Sequence, residues 1–405
     1  MTLLISKYLL PINKKAIKNG CLLLDSEKII DIGSYDELKK KYSNLQIDDL
    51  SDYIILPGFV NCHTHLELDS LKDKIEQKES FTDWIKQIIY LKQQLTYEEI
   101  VSSIQVSMKS MWDSGVTVIG DISSNFISYN YLLKSKMFGR VYWEYLSLKP
   151  SDVNNRLDDL TKSIEQTYKP QNLIKQGISP HSTYTLCDEA FETIVSYIKN
   201  KGYHTAIHVG ESIEEQQLFY NRSGKLFEFI NSYIPLSKDI YKTSPLKYLH
   251  SKGYLVKDSM LIHLNILEDD EIHILKNLNL SVIHCPMSHN YFNHPTFKLK
   301  TLLDYGVNIA IGTDSLASAY SLNFFEQLKQ MKLKFPFLTH ENIINMATIS
   351  GAKAMQLNNL GEIIINKSYS LIGIFCHETT SNPYETVIEN NFPIIHRVSN
   401  NKNDF

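Results

Sequence analysis

Arginine is scarce in this chain. Its 405 residues include only Arg140, Arg156, Arg222 and Arg397, and the lysines are scattered rather than gathered in a block. With a formal net charge of −4, there is no basic surface of the kind that holds nucleic acid or an anionic membrane as the main partner. Long apolar runs are missing too. No stretch approaches the roughly 18 uninterrupted apolar residues of a membrane span. The N-terminus MTLLISKYLLPINKK lacks the apolar core and small-residue cleavage site of a secretory leader. The five cysteines (Cys21, Cys62, Cys187, Cys285 and Cys376) include no CxxC pair, which fits reduced thiols in a cytoplasmic protein. Cys62 and Cys285 adjoin motif residues and are expected to pack as small buried side chains. Internal repeats and low-complexity segments are likewise absent.

The chain has 43% hydrophobic and 21% charged residues, ordinary values for a globular protein. Its length suits a barrel enzyme with an accessory domain. Residues 1–57 carry short strand-like pieces, CLLLD and KIIDIG, separated by turn signals. From Val60 onward, apolar runs alternate with amphipathic helical stretches, the pattern of βα units and a parallel sheet. Eight such runs stand at 60–65, 115–121, 140–146, 177–181, 204–209, 260–264, 281–285 and 308–314. Between them, helices are predicted over 96–114, 188–200 and 341–355. The fold class expected is α/β, a (β/α)8 barrel whose active site lies at the C-terminal strand ends. After about residue 360 the short strands return, in EIIIN, YSLIGIF and FPIIHRV. The expected division is therefore a composite β-sandwich domain from 1–57 and 360–405, with the barrel over 58–359.

The organising stretch is 56–66, LPGFVNCHTHL. His63 and His65 are two residues apart, so in a strand they point to the same face. His208 ends the fifth run, with Glu211 three residues on; His263 ends the sixth and Asp314 the eighth. On a barrel these ends converge. His63, His65, His208 and Asp314 form a mixed nitrogen and oxygen set suited to one divalent ion.

PGFVNCHTH, HVGE, HLN and GTDSLAS together resemble the amidohydrolase superfamily, in its branch of adenosine-type deaminases and chlorohydrolases. SPHSTYTLC, HCPMSHNYF and GTDSLASAYSLN are most similar to the aminodeoxyfutalosine deaminases of menaquinone synthesis, whose relatives include methylthioadenosine and S-adenosylhomocysteine deaminases. The resemblance covers nearly the whole chain. It implies a distorted barrel with a β-sandwich and one zinc, with iron as the other option, on His63, His65, His208 and Asp314. Two-metal members carry a lysine at the end of the fourth strand; here that strand ends in Ser179-Pro180-His181-Ser182, so a single ion follows. By the same likeness His181 contacts substrate. CPMSH departs from a common CPxSN form, because His289 stands where asparagine would.

The reaction expected is removal of the 6-amino group of an adenine nucleoside. Asp314 takes the proton of the attacking water, Glu211 protonates the ring nitrogen and then the leaving amine, and His263 hydrogen-bonds the developing alkoxide. Trp84, in a helix after the first strand, either covers the bound ring or belongs to the core. A substrate bearing a benzoate needs a cation at the pocket edge. Arg222 is the candidate, since Arg140 begins its strand and should sit at the wrong face. The partner is a small nucleoside; the reading leaves room for a homodimer. The alternatives are another hydrolase of the branch, acting on a chloro-triazine, guanine or a cyclic amide, and a non-catalytic barrel used for binding.

Overall fold

The computed structural model describes residues 1–76, 80–167, 173–236, 242–390 and 392–399. Eight parallel strands, numbered here along the barrel alone, are β1 (Phe59–Thr64), β2 (Val116–Ser123), β3 (Phe138–Tyr145), β4 (Ile174–Pro180), β5 (His204–Val209), β6 (Met260–His263), β7 (Ser281–His284) and β8 (Asn308–Ile311). Each pairs with its neighbour in chain order from β1 to β8, giving the (β/α)8 barrel expected from the alternation of apolar runs and helices.

Polar bonds rather than a ladder close the seam between β8 and β1. Just past β8, Thr313 N and Asp314 N both donate to His63 O at 3.0 Å. The Asn61 side chain completes the seam, accepting from Thr313 N (3.0 Å) and donating to Thr313 Oγ1 (2.8 Å). Gly312 is required here. A Cβ at that position would lie 2.9 Å from His63 Cβ and 3.0 Å from Cys285 Sγ, so any side chain would push the two ends apart.

The barrel interior is filled by Val60, Cys62, Val118, Ile122, Phe138, Tyr142, Met260, Ile262 and Ile283, with Ala352, Ala354 and Met355 closing the bottom. It is a packed core, as barrels of this size require. Arg140 lies at that bottom end, with Nη1 donating to Gln176 O (2.6 Å) and Nη2 to Met355 O (3.3 Å), on the face away from the strand ends as its position implied. Outside the strands, helix Tyr97–Asp113 buries Ile100, Ile104, Ser107 and Met111. It opens on a capping box between Thr96 and Glu99. Gly115, at φ +88°, follows its end, and its left-handed backbone suits a helix exit.

Two expectations are corrected. The helix predicted over 341–355 is two helices, His340–Met346 and Ile349–Ala354. Thr348 breaks it: its Oγ1 donates back to Ile344 O (2.6 Å), and the Ala347 carbonyl accepts from Val60 N (2.8 Å) instead of from the next helical turn. The segment EIIIN at 362–366 is not a strand. Ile363 N donates to Pro11 O and Asn366 N to Ile29 O, single contacts that hold a loop while Ile363 fills the core.

Both chain ends join one mixed sheet of seven strands. From one edge it runs Ile395–Val398, Ser370–Phe375, Gln46–Pro57, Thr2–Leu9, Gly20–Leu24 and Ile29–Ser34, with Ile17–Lys18 paired to Thr2–Leu9. Strand Gln46–Pro57 leads directly into β1, so the small sheet is anchored at the stretch that carries the first histidines. Among the described residues no helix is long and apolar enough to cross a membrane.

Candidate active site

Six side chains named from the sequence gather at the C-terminal mouth of the barrel. His63 sits at the end of β1 and His65 just past it, their rings 4.8 Å apart and nearly perpendicular. His208 in β5 brings its Nε2 to 3.2 Å from that of His65. Its Nδ1 faces His181 O at 2.8 Å; a carbonyl can only accept, so the ring proton is on Nδ1 and the Nε2 lone pair is free. His263 closes the ring of histidines, 5.5 Å from both His63 and His208 between centroids. Asp314 Oδ1 is 3.6 Å from His63 Nε2, and Glu211 Oε1 is 3.5 Å from His263 Nε2. His263 and Asp314 both hold left-handed backbones, φ +70° and +61°, a strain commonly stored at functional sites.

The donors fit a divalent ion. Ligand atoms of His63, His65 and His208 lie within 4.8 Å of one another, as do those of His63, His263 and Asp314. Both ring nitrogens of His63 are buried without a hydrogen-bond partner among the described residues, an arrangement that costs free energy unless something else binds them. Burial, reinforced by the neighbouring histidines, holds His65 and His208 well below the usual imidazole range, so both are neutral and ligand-competent. The fourth strand ends without a lysine.

The two carboxyls are pushed in opposite directions. Burial, with the negative charges of Asp314 and Glu215, raises Glu211 well above the usual carboxylate range. Burial pushes Asp314 the same way, but its contact with His63 at 3.6 Å, within the surrounding ring of imidazoles, prevails and holds it well below. Asp314 Oδ2 also accepts from Ser288 Oγ (2.8 Å) and Ser318 Oγ (2.7 Å). Burial pushes His263 down to about 3, leaving it neutral.

These groups form one wall of a cavity of about 190 Å³, lined also by Trp84, His181, Lys92, Glu144, Phe81 and Tyr184. Trp84 packs between Phe81 and Phe292, bonds Ala317 O (2.8 Å) and lines the cavity. His181 lies at the rim, with Nδ1 3.1 Å from Thr185 Oγ1 and Nε2 3.5 Å from Glu144. Arg222 is not brought in. It caps helix Ile213–Asn221 and lines neither this cavity nor the one beside it. Cys62 and Cys285 are buried, as expected of packing thiols.

A model of the amidohydrolase family matches residues 54–390. The chain belongs to the amidohydrolase family. With its deaminase relatives, this makes it a hydrolase acting on carbon–nitrogen bonds. It is 28% identical to the adenosine deaminase of Helicobacter pylori, across 85% of this chain and 84% of that one. It is 25% identical to the 5-methylthioadenosine/S-adenosylhomocysteine deaminase of Carboxydothermus hydrogenoformans, across 96% and 87%. Its fold matches the crystal structure of Helicobacter pylori aminofutalosine deaminase in complex with methylthio-coformycin, with a TM-score of 0.87, 21% identity and 99% of each chain covered.

Two further buried carboxyls, neither apparent as a site residue in the sequence, brace the loops of this amidohydrolase around the mouth. Glu215 accepts from Glu211 N (2.8 Å) and pairs with Thr183; it lies one helical turn after Glu211, a spacing that could have drawn attention. Glu67 gathers Ser124 N, Asn125 N and Ile127 N on one buried carboxylate and so fixes the loop after β2. Only the fold reveals that cluster, because its donors stand almost 60 residues away.

Proposed function

We propose that the chain is a metal-dependent adenine-nucleoside deaminase whose substrate is aminodeoxyfutalosine. The observation that carries the deaminase reading is the placement of two carboxyls on one cluster of buried histidines, Glu211 Oε1 at 3.5 Å from His263 Nε2 and Asp314 Oδ1 at 3.6 Å from His63 Nε2. Hydrolysis of an amidine needs both a proton donor and a proton acceptor in the same pocket.

His63, His65, His208 and Asp314 would hold the ion, zinc by their donor set, which would supply the Lewis acidity that brings the pKa of a water toward neutrality. Asp314 accepts a proton from the attacking water. Glu211 donates to the ring nitrogen beside C6, and His263 hydrogen-bonds the oxygen as negative charge builds on it. Of the water's two protons, one ends on the ring nitrogen and one on the departing ammonia; Asp314 and Glu211 carry them. Trp84 and Phe81 give the purine an aromatic wall, and His181 stands where it can meet the ring or the ribose.

The finer assignment is supported by a second cavity of about 330 Å³ that shares Ile85, Ile89, Leu146, Tyr184 and Thr185 with the first. Its apolar walls, Leu226, Phe229, Ile230 and Tyr233, meet two cations, Lys149 and Arg156. An aromatic arm ending in a carboxylate suits those walls and that charge. S-adenosylhomocysteine is the second reading, because Asp152 stands in the same lining and an amino-acid end needs both signs. Assay of aminodeoxyfutalosine, S-adenosylhomocysteine, methylthioadenosine and adenosine by purine absorbance tests this. The expected result is the highest kcat/KM on aminodeoxyfutalosine. Equal efficiency on adenosine would remove the outer cavity from the reading, and no ammonia from any of the four would overturn it.

A further inference from the structure

The helix Pro286–Tyr291 reaches both carboxyls through adjacent residues. Ser288 donates to Asp314 Oδ2 at 2.8 Å. His289 Nδ1 stands 3.0 Å from Asn265 Oδ1, and Asn265 Nδ2 donates to the backbone carbonyl of Glu211 at 3.0 Å. The orientation of this chain is fixed by chemistry. The Glu211 carbonyl can only accept, so the amide nitrogen of Asn265 must face it; the amide oxygen then faces His289, which must present Nδ1–H.

The other end of the Glu211 residue is held as well, since Glu211 N donates to Glu215 Oε2 at 2.8 Å. The loop that carries Asn265 is stapled to the Glu211 loop by Ile266 N donating to Gly210 O (2.8 Å). Asn265 is 5% exposed, so water does not readily replace its bonds. Resting on the deaminase reading above, we infer that His289 and Asn265 are positioning residues. They hold Glu211 at the distance from Asp314 that two successive proton transfers require. Ser288 fixes the acceptor and its neighbour fixes the donor, so one helical turn sets the spacing of the pair.

Three substitutions separate this from a packing role. Asn places an amide N–H where Nδ1–H of His289 stands, Gln places its amide nearer Nε2, and Leu places no donor. His289→Leu and His289→Gln should lower kcat on the 6-amino nucleoside, by up to the roughly 100-fold that a small misplacement can cost, with KM little changed. His289→Asn should restore most of it. On the matching 6-chloropurine nucleoside, whose leaving chloride needs no proton, the loss should be about ten times smaller, within the range a proton transfer contributes. Equal losses on both substrates, or His289→Asn as poor as His289→Leu, would overturn the inference. Crystal structures of the three variants decide it independently of turnover. Glu211 displaced in the Leu and Gln variants and restored in the Asn variant supports it; Glu211 unmoved in all three overturns it. Absence of ammonia release by the parent protein would overturn the function, not the positioning, which those structures would still decide.

Discussion

His65 Nε2 and His208 Nε2 face each other across 3.2 Å. Two nitrogens on one tetrahedral ion, each at about 2.0–2.1 Å, stand about 3.3 Å apart, so the pair is already at a shared-ligand separation. The proton of His208 is committed to His181 O, an outer contact of the kind that orients a ligand histidine. One divalent ion per chain is the expected content by elemental analysis after dialysis. His208→Ala should lose it, and removal by chelator should abolish turnover until the metal is restored. Two ions per chain would contradict the single-metal reading, and full activity in chelator would contradict metal dependence altogether.

Glu211→Gln keeps the shape of the side chain but removes its proton. Turnover should fall by roughly 10²–10⁴-fold, the range for general acid–base catalysis. Metal content should stay at the parent level, because Glu211 faces His263 rather than the His65–His208 pair. Loss of metal in step with activity would make Glu211 a ligand.

Asp69 gives the fold a pH dependence of known sign. Its Oδ1 accepts from Leu316 N at 2.7 Å, while burial pushes its pKa up to about 8. The folded chain keeps this proton where the unfolded chain releases it, so the folded state binds more protons between about pH 4 and pH 8, and stability falls as pH rises through that window. Thermal midpoints measured across it should decline in the parent and decline less in Asp69→Asn. A variant with the same slope as the parent would show that another group carries the dependence.

The eight strands were legible because each is an apolar run bounded by helices of clear period, and a parallel barrel strand is buried on both faces. His63, His65, His208, His263 and Asp314 were legible for a related reason: each ends such a run, and barrel geometry sends those ends to one mouth. Strand Gln46–Pro57 was not, since its first half, QIDDLSD, is polar at a sheet position whose partners come from distant parts of the chain. The break at Thr348 was hidden because it depends on Val60 N, almost 290 residues away, taking the Ala347 carbonyl. Arg222 was chosen as the distal cation because its segment follows β5. Which face of the loops lines the outer cavity depends on packing between helix Gly224–Tyr233 and the turn after β3, which no local pattern encodes.

That packing relocates the test of substrate choice to Lys149 and Arg156. Both line the outer cavity beside Leu146 and Tyr233, and Arg222 does not. If the proposed substrate's carboxylate sits there, it gains a charged hydrogen bond, and losing one partner should cost about 1.5–3 kcal/mol. That corresponds to a loss of roughly ten- to a hundredfold in kcat/KM. Arg156→Ala should therefore impair aminodeoxyfutalosine selectively, leave methylthioadenosine, which has no carboxylate, nearly untouched, and act with Lys149→Ala on the same substrate. Arg222→Ala should spare both. Asp152→Asn separates the two carboxylate-bearing substrates: it removes the partner of an ammonium and should lower activity on S-adenosylhomocysteine alone. A uniform loss in Arg156→Ala across all substrates would assign that residue to the fold, and a selective loss in Arg222→Ala would return the distal contact to the loop after β5.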